Sequence, residues 1–276
     1  MQKNKENVKT AIDIKDTTNC FWTVNDNFCV PDSLFDPVTN KDGKLKLAKL
    51  VQMNEALFDM STFYNIPMTS GKDSMKNDFK AGKIKISVPP TILYSMVAKI
   101  DDIRDTVTSD FKADGDLIYQ IGKTYDELGA SEFYRLFDEL GANVPVVRKE
   151  KAKTIYDKII VANKKKLIES NHDISDGGLA VALTESAFGG GFGAEIKLEK
   201  VNNKPLNAAL FSESHSRFVA SIKPENRSAF ESMFGEDATL LGKVSSNKKL
   251  IIKSDINEII SIDIDKLKKA WDDGLK

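Results

Sequence analysis

The sequence is poor in cysteine, has almost no excess of charge and contains no long apolar run. Its 276 residues include two cysteines, Cys20 and Cys29, without a CxxC pair or a Cys/His cluster. Neither a disulfide framework nor a structural zinc site is therefore expected. No stretch reaches the ~18 consecutive apolar residues that a membrane helix requires. The opening MQKNKENVKT lacks the apolar core of a signal peptide, so we expect a cytoplasmic protein.

The balance of charge also excludes some partners. Lysine and arginine number 40 against 41 aspartate and glutamate residues, which gives a net charge of −1. A surface that grips nucleic acid or anionic lipid needs a basic excess, so neither is an expected partner. The 41% of hydrophobic residues is ordinary for a folded protein. At about 150 residues per domain, the length suggests roughly two domains.

Periodic patterns alternate between helix and strand, which predicts an α/β or α+β fold. In the first part we expect a helix over 44–64 packed on a core, a strand over 83–88 with Ile84 and Ile86 facing inward, and a central strand over 91–100. A turn at Asp114–Asp116 marks the predicted boundary between domains 1–112 and 113–276. Beyond it we expect strands over 117–121, 173–175, 192–196, 216–222, 239–244 and 250–252, and helices over 131–140, 151–170, 178–188, 225–233 and 264–271.

The segment NHDISDGGLAVALTESAF is the most informative one for chemistry. A polar loop with Asp173, Ser175 and Asp176 leads through two glycines into a helix. Carboxylates at a strand end that faces a helix N-terminus can hold a hard cation, while backbone N–H groups receive phosphate. Alternatively, Asp173 or Asp176 simply caps the helix and the glycines form the turn. On the pattern alone, the capping interpretation is favoured.

Two further segments offer polar groups. In PMTSGKDSMKND, Gly71 and Lys72 lie in a predicted polar loop that could contact phosphate, with Asp73 as a metal neighbour, or could form an exposed turn with a surface ion pair. The spacing is not that of a Walker A loop. In LFSESHSRFVASI, His215 could transfer protons, but a solvent-exposed histidine is the favoured interpretation.

Three segments together, SGKDSM, HDISDGGLAVALTESAF and LFSESHSRFV, resemble the large phosphoribosylformylglycinamidine synthases of purine biosynthesis, from about residue 25 to 244. HDxSDGGL is the most specific of these motifs, and the wider aminoimidazole ribonucleotide synthetase superfamily of ATP-using enzymes shares it more loosely. The resemblance is to the second half of the large enzyme, which carries an auxiliary nucleotide with magnesium. It implies that the chain is a piece of a longer polypeptide, separate from the catalytic half and the glutaminase domain.

The resemblance also implies site residues. Asp173 corresponds to a magnesium ligand, Ser175 to a nucleotide contact and Asn27 to a further magnesium ligand, while Thr23 stands where the family has a glutamate ligand. Lys72 and Gly71 would neighbour phosphate, and Asp73 would neighbour the metal. Glu213-Ser214-His215 takes the place of a substrate-binding Glu-Ser-Gln, but histidine replaces glutamine, so no substrate contact is assigned. No catalytic residue is assigned either.

The implied fold is the two-domain superfamily arrangement with a truncated N-terminal domain. The implied function is that of a segment of the ATP-dependent ligase that converts formylglycinamide ribonucleotide and glutamine to the amidine, with Mg²⁺ and ATP or ADP as cofactors. Alone, the segment is expected to be inactive and to pair as a homodimer through its N-terminal strands. The alternatives are a non-catalytic nucleotide-holding module and another superfamily member, such as selenophosphate synthetase or the hydrogenase-maturation dehydratase.

Overall fold

The structure is a computed structural model that describes residues 22–82, 84–100, 102–198 and 205–274. Cys20 and Lys83 lie outside these described residues. The chain divides into two compact units, Met1–Ile103 and Arg104–Lys276. Strands and helices occur in both units, which confirms the predicted α/β class. Across the described residues, no helix is both long and apolar enough to cross a membrane.

The first unit contains a small sheet, one long helix and a hairpin. Its elements are β1 (Trp22–Cys29), α1 (Gly43–Phe63), β2 (Met68–Ser74), β3 (Asp78–Ala81), β4 (Ile84–Ser87) and β5 (Thr91–Ala98). The sheet order is β2-β1-β5, in which β1 runs parallel to β2 and antiparallel to β5. β3 and β4 form a separate antiparallel pair.

Three expectations for the strands of this unit are wrong. Gly71, Lys72 and Asp73 lie in strand β2 and not in a loop, because backbone pairing with β1 makes a strand from residues that have no apolar period. β5 is an edge strand, and β1 is the central one. In β4, Ile84 and Ile86 are each 60% exposed. The opposite face of β4 turns inward, since Lys85 donates a hydrogen bond to Asn40 at 2.8 Å.

Helix α1 confirms the predicted helix but not its packing. The only buried residue of α1 is Gly43, and the exposed apolar side chains include Leu47, Val51 and Phe58. A helix of 21 residues is about 30 Å long. Most of the apolar stripe of this helix is therefore left uncovered by the described residues.

The second unit is built around a seven-stranded sheet of order β12-β11-β8-β10-β6-β9-β7. Neighbouring strands are antiparallel except β11 and β8, which are parallel. The elements are β6 (Leu117–Ile121), α2 (Glu132–Arg135), α3 (Lys149–Lys164), β7 (Ser170–Asp173), α4 (Gly178–Gly190), β8 (Gly193–Lys197), α5 (Leu206–Phe211), β9 (Phe218–Ile222), α6 (Arg227–Phe234), β10 (Ala238–Ser245), β11 (Lys249–Ser254), β12 (Asn257–Asp263) and α7 (Ile264–Asp273).

Helices pack on both faces of this sheet. Ile118 belongs to one core cluster, with Leu179 and Leu183 of α4, whereas its neighbour Tyr119 belongs to the other, with Ile155 of α3 and Phe230 of α6. Consecutive residues of a strand face opposite sides, so both faces of the sheet are buried at this position. This arrangement explains why the central strands read as continuous apolar runs.

Several predicted boundaries in this unit shift. The helix predicted over 151–170 ends at Lys164, and Lys166 has a positive φ of 53° that stops it. The strand predicted over 173–175 lies earlier in the chain, as β7 (Ser170–Asp173), and shares only Asp173 with the predicted range. The helix predicted over 131–140 is only the single turn α2. The sequence patterns missed α5 and β12 entirely.

A buried acid at the start of β6 generates a test of stability. Asp116 is 4% exposed, and its Oδ2 lacks a hydrogen-bond partner among the described residues. Burial, with a contribution from the charge of Glu169, raises the pKa of Asp116. Because the folded pKa lies above the unfolded one, stability falls as pH rises through the interval between them. Asp116→Asn should therefore stabilise the chain at pH 7 by about 1 kcal/mol.

Urea denaturation of both forms between pH 4 and pH 8 measures this effect. The variant should also show a weaker decline of stability with rising pH. Asp157→Asn on α3 is the matched control, because Asp157 is exposed and forms only an i,i+4 pair with Lys153. A variant that is less stable than the parent at pH 7, with an unchanged pH slope, contradicts the prediction.

Candidate functional site

The connection from β7 to α4 is a tight turn that requires glycine. Gly177 and Gly178 have φ values of 75° and 68°, a region that L side chains rarely adopt. A Cβ at Gly178 would also lie 2.7 Å from the backbone of Phe211 in α5. The two glycines therefore let the chain turn sharply and let α4 and α5 approach each other closely.

The turn is capped by a residue from a distant segment. The N-cap of α4 is Gly177, which has no side-chain cap, so the expectation that Asp173 or Asp176 caps this helix is wrong. The N–H of Gly177 donates instead to Oε1 of Glu213 at 2.8 Å. The same oxygen accepts from the N–H of Glu132 at 2.9 Å. A carboxylate at a helix N-terminus is favourable because it compensates the positive end of the helix dipole.

A buried arginine holds the segment that presents Glu213. Arg217 is 1% exposed. Its Nε donates to the carbonyl of Ser214 at 2.9 Å, one guanidinium nitrogen donates to Oγ1 of Thr124 at 3.0 Å, and the other donates to the carbonyl of Ser212. Burial lowers the pKa of Arg217 to about 10, against the opposite effect of Glu127 and Glu213. The guanidinium therefore remains charged at neutral pH.

Asp173 is left available because it does not cap the helix. It is exposed at the end of β7, and its Oδ2 accepts a hydrogen bond from the hydroxyl of Ser175. The neighbouring His172 has an oxygen atom close to each ring nitrogen. Its Nδ1 lies 2.6 Å from the carbonyl oxygen of Asp173, and its Nε2 lies 2.9 Å from Oε2 of Glu185.

These residues surround a pocket of about 440 Å³ whose lining includes Asp173, Ser175, Asp176, Glu213 and His215. His215 is exposed, as expected. A smaller cavity of about 160 Å³ is lined by His172, Asp173, Ser175, Asp176, Ala182 and Glu185. Asp173, Asp176 and Glu213 contribute carboxylates to the larger lining, which also includes Arg217 and His215. In the smaller lining three of the six residues are acidic, so a cation would offset repulsion between these carboxylates and an anionic ligand.

The donor set suits magnesium in one respect. Asp173 and Asp176 offer oxygen ligands, which Mg²⁺ prefers, and Mg²⁺ commonly binds to one or two carboxylates together with waters and phosphate oxygens. Within the residues that the structure describes, no group of three or more His, Cys, Asp or Glu side chains is arranged to hold a metal alone. A cation here would therefore complete its coordination with waters or with oxygens of a ligand.

The other candidate residues lie in the first unit. Asn27 of β1 is in register with Lys72 of β2, and a Ser74 hydroxyl joins them, accepting from Lys72 Nζ at 2.6 Å and donating to Asn27 Oδ1 at 3.4 Å. Asp73 alternates to the other face of β2, opposite Phe28. Gly71 lies beside Asp26, and a Cβ there would collide with that carboxylate. The structure thus brings Asn27 and Lys72 together but not Asp73.

Two contacts of the site were not predicted from the sequence. They are the contact of Glu185 with His172 and the capping of α4 by Glu213. Glu185 lies within the otherwise apolar run LAVALTESAF, and a charged residue in a buried helix is the available signal. No such signal exists for Glu213, because its two N–H partners lie 36 and 81 residues away in sequence.

The free energy of unfolding tests whether Arg217 holds the segment that presents Glu213. Arg217→Met should destabilise the chain by about 3 kcal/mol, because it leaves buried carbonyls without donors. Guanidinium denaturation followed by circular dichroism measures the change. Arg135→Met is the matched control, since the Arg135 side chain is 79% exposed and pairs only with Glu132. Such an exposed pair is worth under about 1 kcal/mol. An equal loss of unfolding free energy in both variants would show that Arg217 does not hold the segment that presents Glu213.

Fold and site together define a mixed α/β protein. Its candidate pocket lies at the end of strand β7, where Gly177 and Gly178 form the turn into α4. Residues 113–255 match the family described as AIR synthase related protein, C-terminal domain. The match spans more than half of the chain, and the chain belongs to this family.

Solved structures share the fold. Phosphoribosylformylglycinamidine synthase II from Thermotoga maritima aligns with a TM-score of 0.64 and 14% identity over 89% of this chain and 37% of that one. T. maritima PurL complexed with FGAR aligns with a TM-score of 0.66 and 15% identity over 96% and 42%. Escherichia coli HypE, a hydrogenase maturation protein, aligns at 0.60 and 15% over 88% and 73%. The chain thus spans about two fifths of the length of the T. maritima synthases, and the likeness supports an AIR synthase-like fold.

Proposed function

We propose that the chain is a segment of an ATP-dependent ligase that converts formylglycinamide ribonucleotide and glutamine to formylglycinamidine ribonucleotide, and that it carries an auxiliary nucleotide and magnesium site. The observation that carries the proposal is the exposed Asp173 carboxylate beside Ser175 at the mouth of the 440 Å³ pocket. Structures of T. maritima PurL complexed with FGAR, ATP and ADP support the choice of ligand class.

In this proposal Asp173 is a magnesium ligand, and the hydroxyl of Ser175 contacts a phosphate. Magnesium, when bound, offsets the phosphate charge that the carboxylates of the pocket would otherwise repel. The N–H of Gly177 is already satisfied by Glu213, so the turn itself offers a phosphate one donor fewer. Binding of nucleotide should consequently depend on the cation rather than on the helix N-terminus.

For the first unit we infer that Asn27 and Asp73 are further magnesium ligands and that Gly71 and Lys72 contact phosphate. Lys72 and Asn27 share a face and a bridging serine, which supports their acting together. Asp73 alternates to the other face of β2, so its assignment rests on the sequence resemblance alone. No catalytic residue is assigned, and the segment should not turn over substrate by itself.

The proposed domains are a truncated synthetase-like domain over 1–112 and a C-terminal one over 113–276. The proposed partners are the catalytic half and the glutaminase domain of a longer polypeptide, or a second copy of this chain. In support, apolar side chains of the edge strand β5 are exposed: Leu93 to 60%, Met96 to 52% and Val97 to 64%. An exposed edge with such a face is a site for pairing with another chain.

The magnesium assignment predicts a charge-dependent loss of binding. Asp173→Asn keeps the size of the side chain and an acceptor for Ser175 but removes the negative charge. The variant should bind ADP in the presence of Mg²⁺ at least about tenfold more weakly, which is ~1.4 kcal/mol. Isothermal titration calorimetry with ADP, with Mg²⁺ or with EDTA, measures this directly.

Asp157→Asn is the control, because Asp157 is an exposed acid of α3 in the same unit. Circular dichroism establishes that all forms are folded. Nucleotide affinity that is equal with Mg²⁺ and with EDTA, or that survives in Asp173→Asn, would sink the magnesium assignment. Absence of binding in the parent chain would sink the nucleotide site of this segment.

The first-unit assignment is tested separately at Lys72. Lys72→Met removes one exposed cation while keeping most of the stem, and it should weaken ADP binding about three- to tenfold, or ~1 kcal/mol. Lys80→Met on β3 is the matched control, because Lys80 is equally exposed on a strand of the same unit. If the two variants bind ADP equally well, Lys72 makes no phosphate contact.

The HypE structures favour a second candidate function within the same family. One of them, a HypE–HypF complex, aligns at a TM-score of 0.61 over 80% of that chain, which is a larger share than for the synthases. On this alternative the chain is another superfamily member, such as a selenophosphate synthetase, or a module that holds nucleotide without turnover. ADP release from ATP distinguishes hydrolysis from retention.

A further inference from the structure

Glu185 of α4 contacts one residue of β7 and one residue of α7. It lies in α4, with its Oε2 2.9 Å from Nε2 of His172, the residue before Asp173 at the end of β7. Its other oxygen, Oε1, accepts a hydrogen bond from the indole Nε1 of Trp271 at 3.1 Å. Trp271 belongs to α7, and its ring lies 5.9 Å from that of Phe188, one turn further along α4.

The imidazole of His172 links Glu185 to the loop that follows β7. The side chain of His172 is 17% exposed, and its Nδ1 lies 2.6 Å from the carbonyl oxygen of Asp173. Each ring nitrogen faces an acceptor oxygen, and the imidazole donates to both only when both nitrogens carry a proton. Because the Nδ1 contact is to the main chain of Asp173, fixing the ring also fixes the backbone from which that carboxylate projects.

We propose that Glu185 is a positioning residue, which uses Trp271 and His172 to hold the end of β7 so that Asp173 is presented to the pocket. Glu185 acts through His172 and is assigned no contact with nucleotide. The effect on ligand binding rests on the proposed function, but the effect on His172 and on the loop does not. Groups that orient a metal ligand commonly contribute 10- to 100-fold to affinity.

The first measurement needs no nucleotide. The chain has two histidines, so Glu185→Ala in a His215→Gln background leaves a single imidazole, that of His172, for long-range ¹H–¹⁵N spectroscopy. The ¹⁵N shifts of His172 should change when its Nε2 loses the carboxylate, and amide exchange in the 174–177 loop should accelerate about tenfold. Glu185→Gln should restore slow exchange, because its amide oxygen still accepts from His172.

The second measurement is the affinity for ADP with Mg²⁺. Glu185→Ala should weaken it about tenfold, Glu185→Gln by less than about threefold, and Glu195→Ala not at all. Glu195 is the matched control, a half-exposed glutamate of β8 that lies 3.8 Å from Lys243. Unchanged ¹⁵N shifts and exchange in Glu185→Ala would overturn the proposal. Weakened binding with an unchanged imidazole would also overturn it, because Glu185 would then act on the ligand directly.

The two failures are distinguishable. If the parent chain binds no ADP, the proposed function fails, while the spectroscopy and the exchange rates still decide whether Glu185 holds the loop. If the parent chain binds ADP and the imidazole and loop of Glu185→Ala behave as in the parent, the positioning role fails while the proposed function stands.

Discussion

The geometry of the site depends on the carboxylate of Glu213, which accepts from the backbone of Gly177 and of Glu132. This single oxygen fixes the start of α4 relative to α2. Its own position depends on the buried Arg217, whose guanidinium donates to the carbonyls of Ser212 and Ser214 on either side of Glu213. A buried arginine is stable only when its donors are satisfied, and the carbonyls of a tight segment satisfy them.

One consequence is electrostatic. Since Glu213 caps α4, the carboxylates of Asp173 and Asp176 are not used as helix caps and line the pocket together with Arg217 and His215. In most phosphate sites at a helix N-terminus, free N–H groups and the helix dipole attract the anion. Here part of that attraction is already compensated within the protein. In the proposed site, a cation would therefore supply the attraction for phosphate that the N–H of Gly177 no longer offers.

How much of this the sequence could predict depends on whether a feature is local. Strand β6 and helix α4 were predicted at nearly their observed bounds, because their apolar periods lie within the segments themselves. β2 was not predicted, since its exposed residues form a strand only through pairing with β1. The capping of α4 was assigned to Asp173 or Asp176 for a similar reason. A local acid before a helix is the common solution, and the distant Glu213 leaves no trace in the pattern.

The first unit shows the same limit on a larger scale. Alternation in β4 correctly predicted a strand, but the inward face carries Lys85, and the isoleucines face outward. Periodicity reports that two faces differ and does not report which one is covered. A unit that exposes Ile84 and Ile86 of β4, Val97 of β5 and Phe58 of α1 leaves much of its apolar surface in water, at a cost of roughly 25 cal/mol per Å². The apolar alternation of β4 therefore marks a face that stays exposed among the described residues, and the buried face is set by the polar contact between Lys85 and Asn40, which alternation does not reveal.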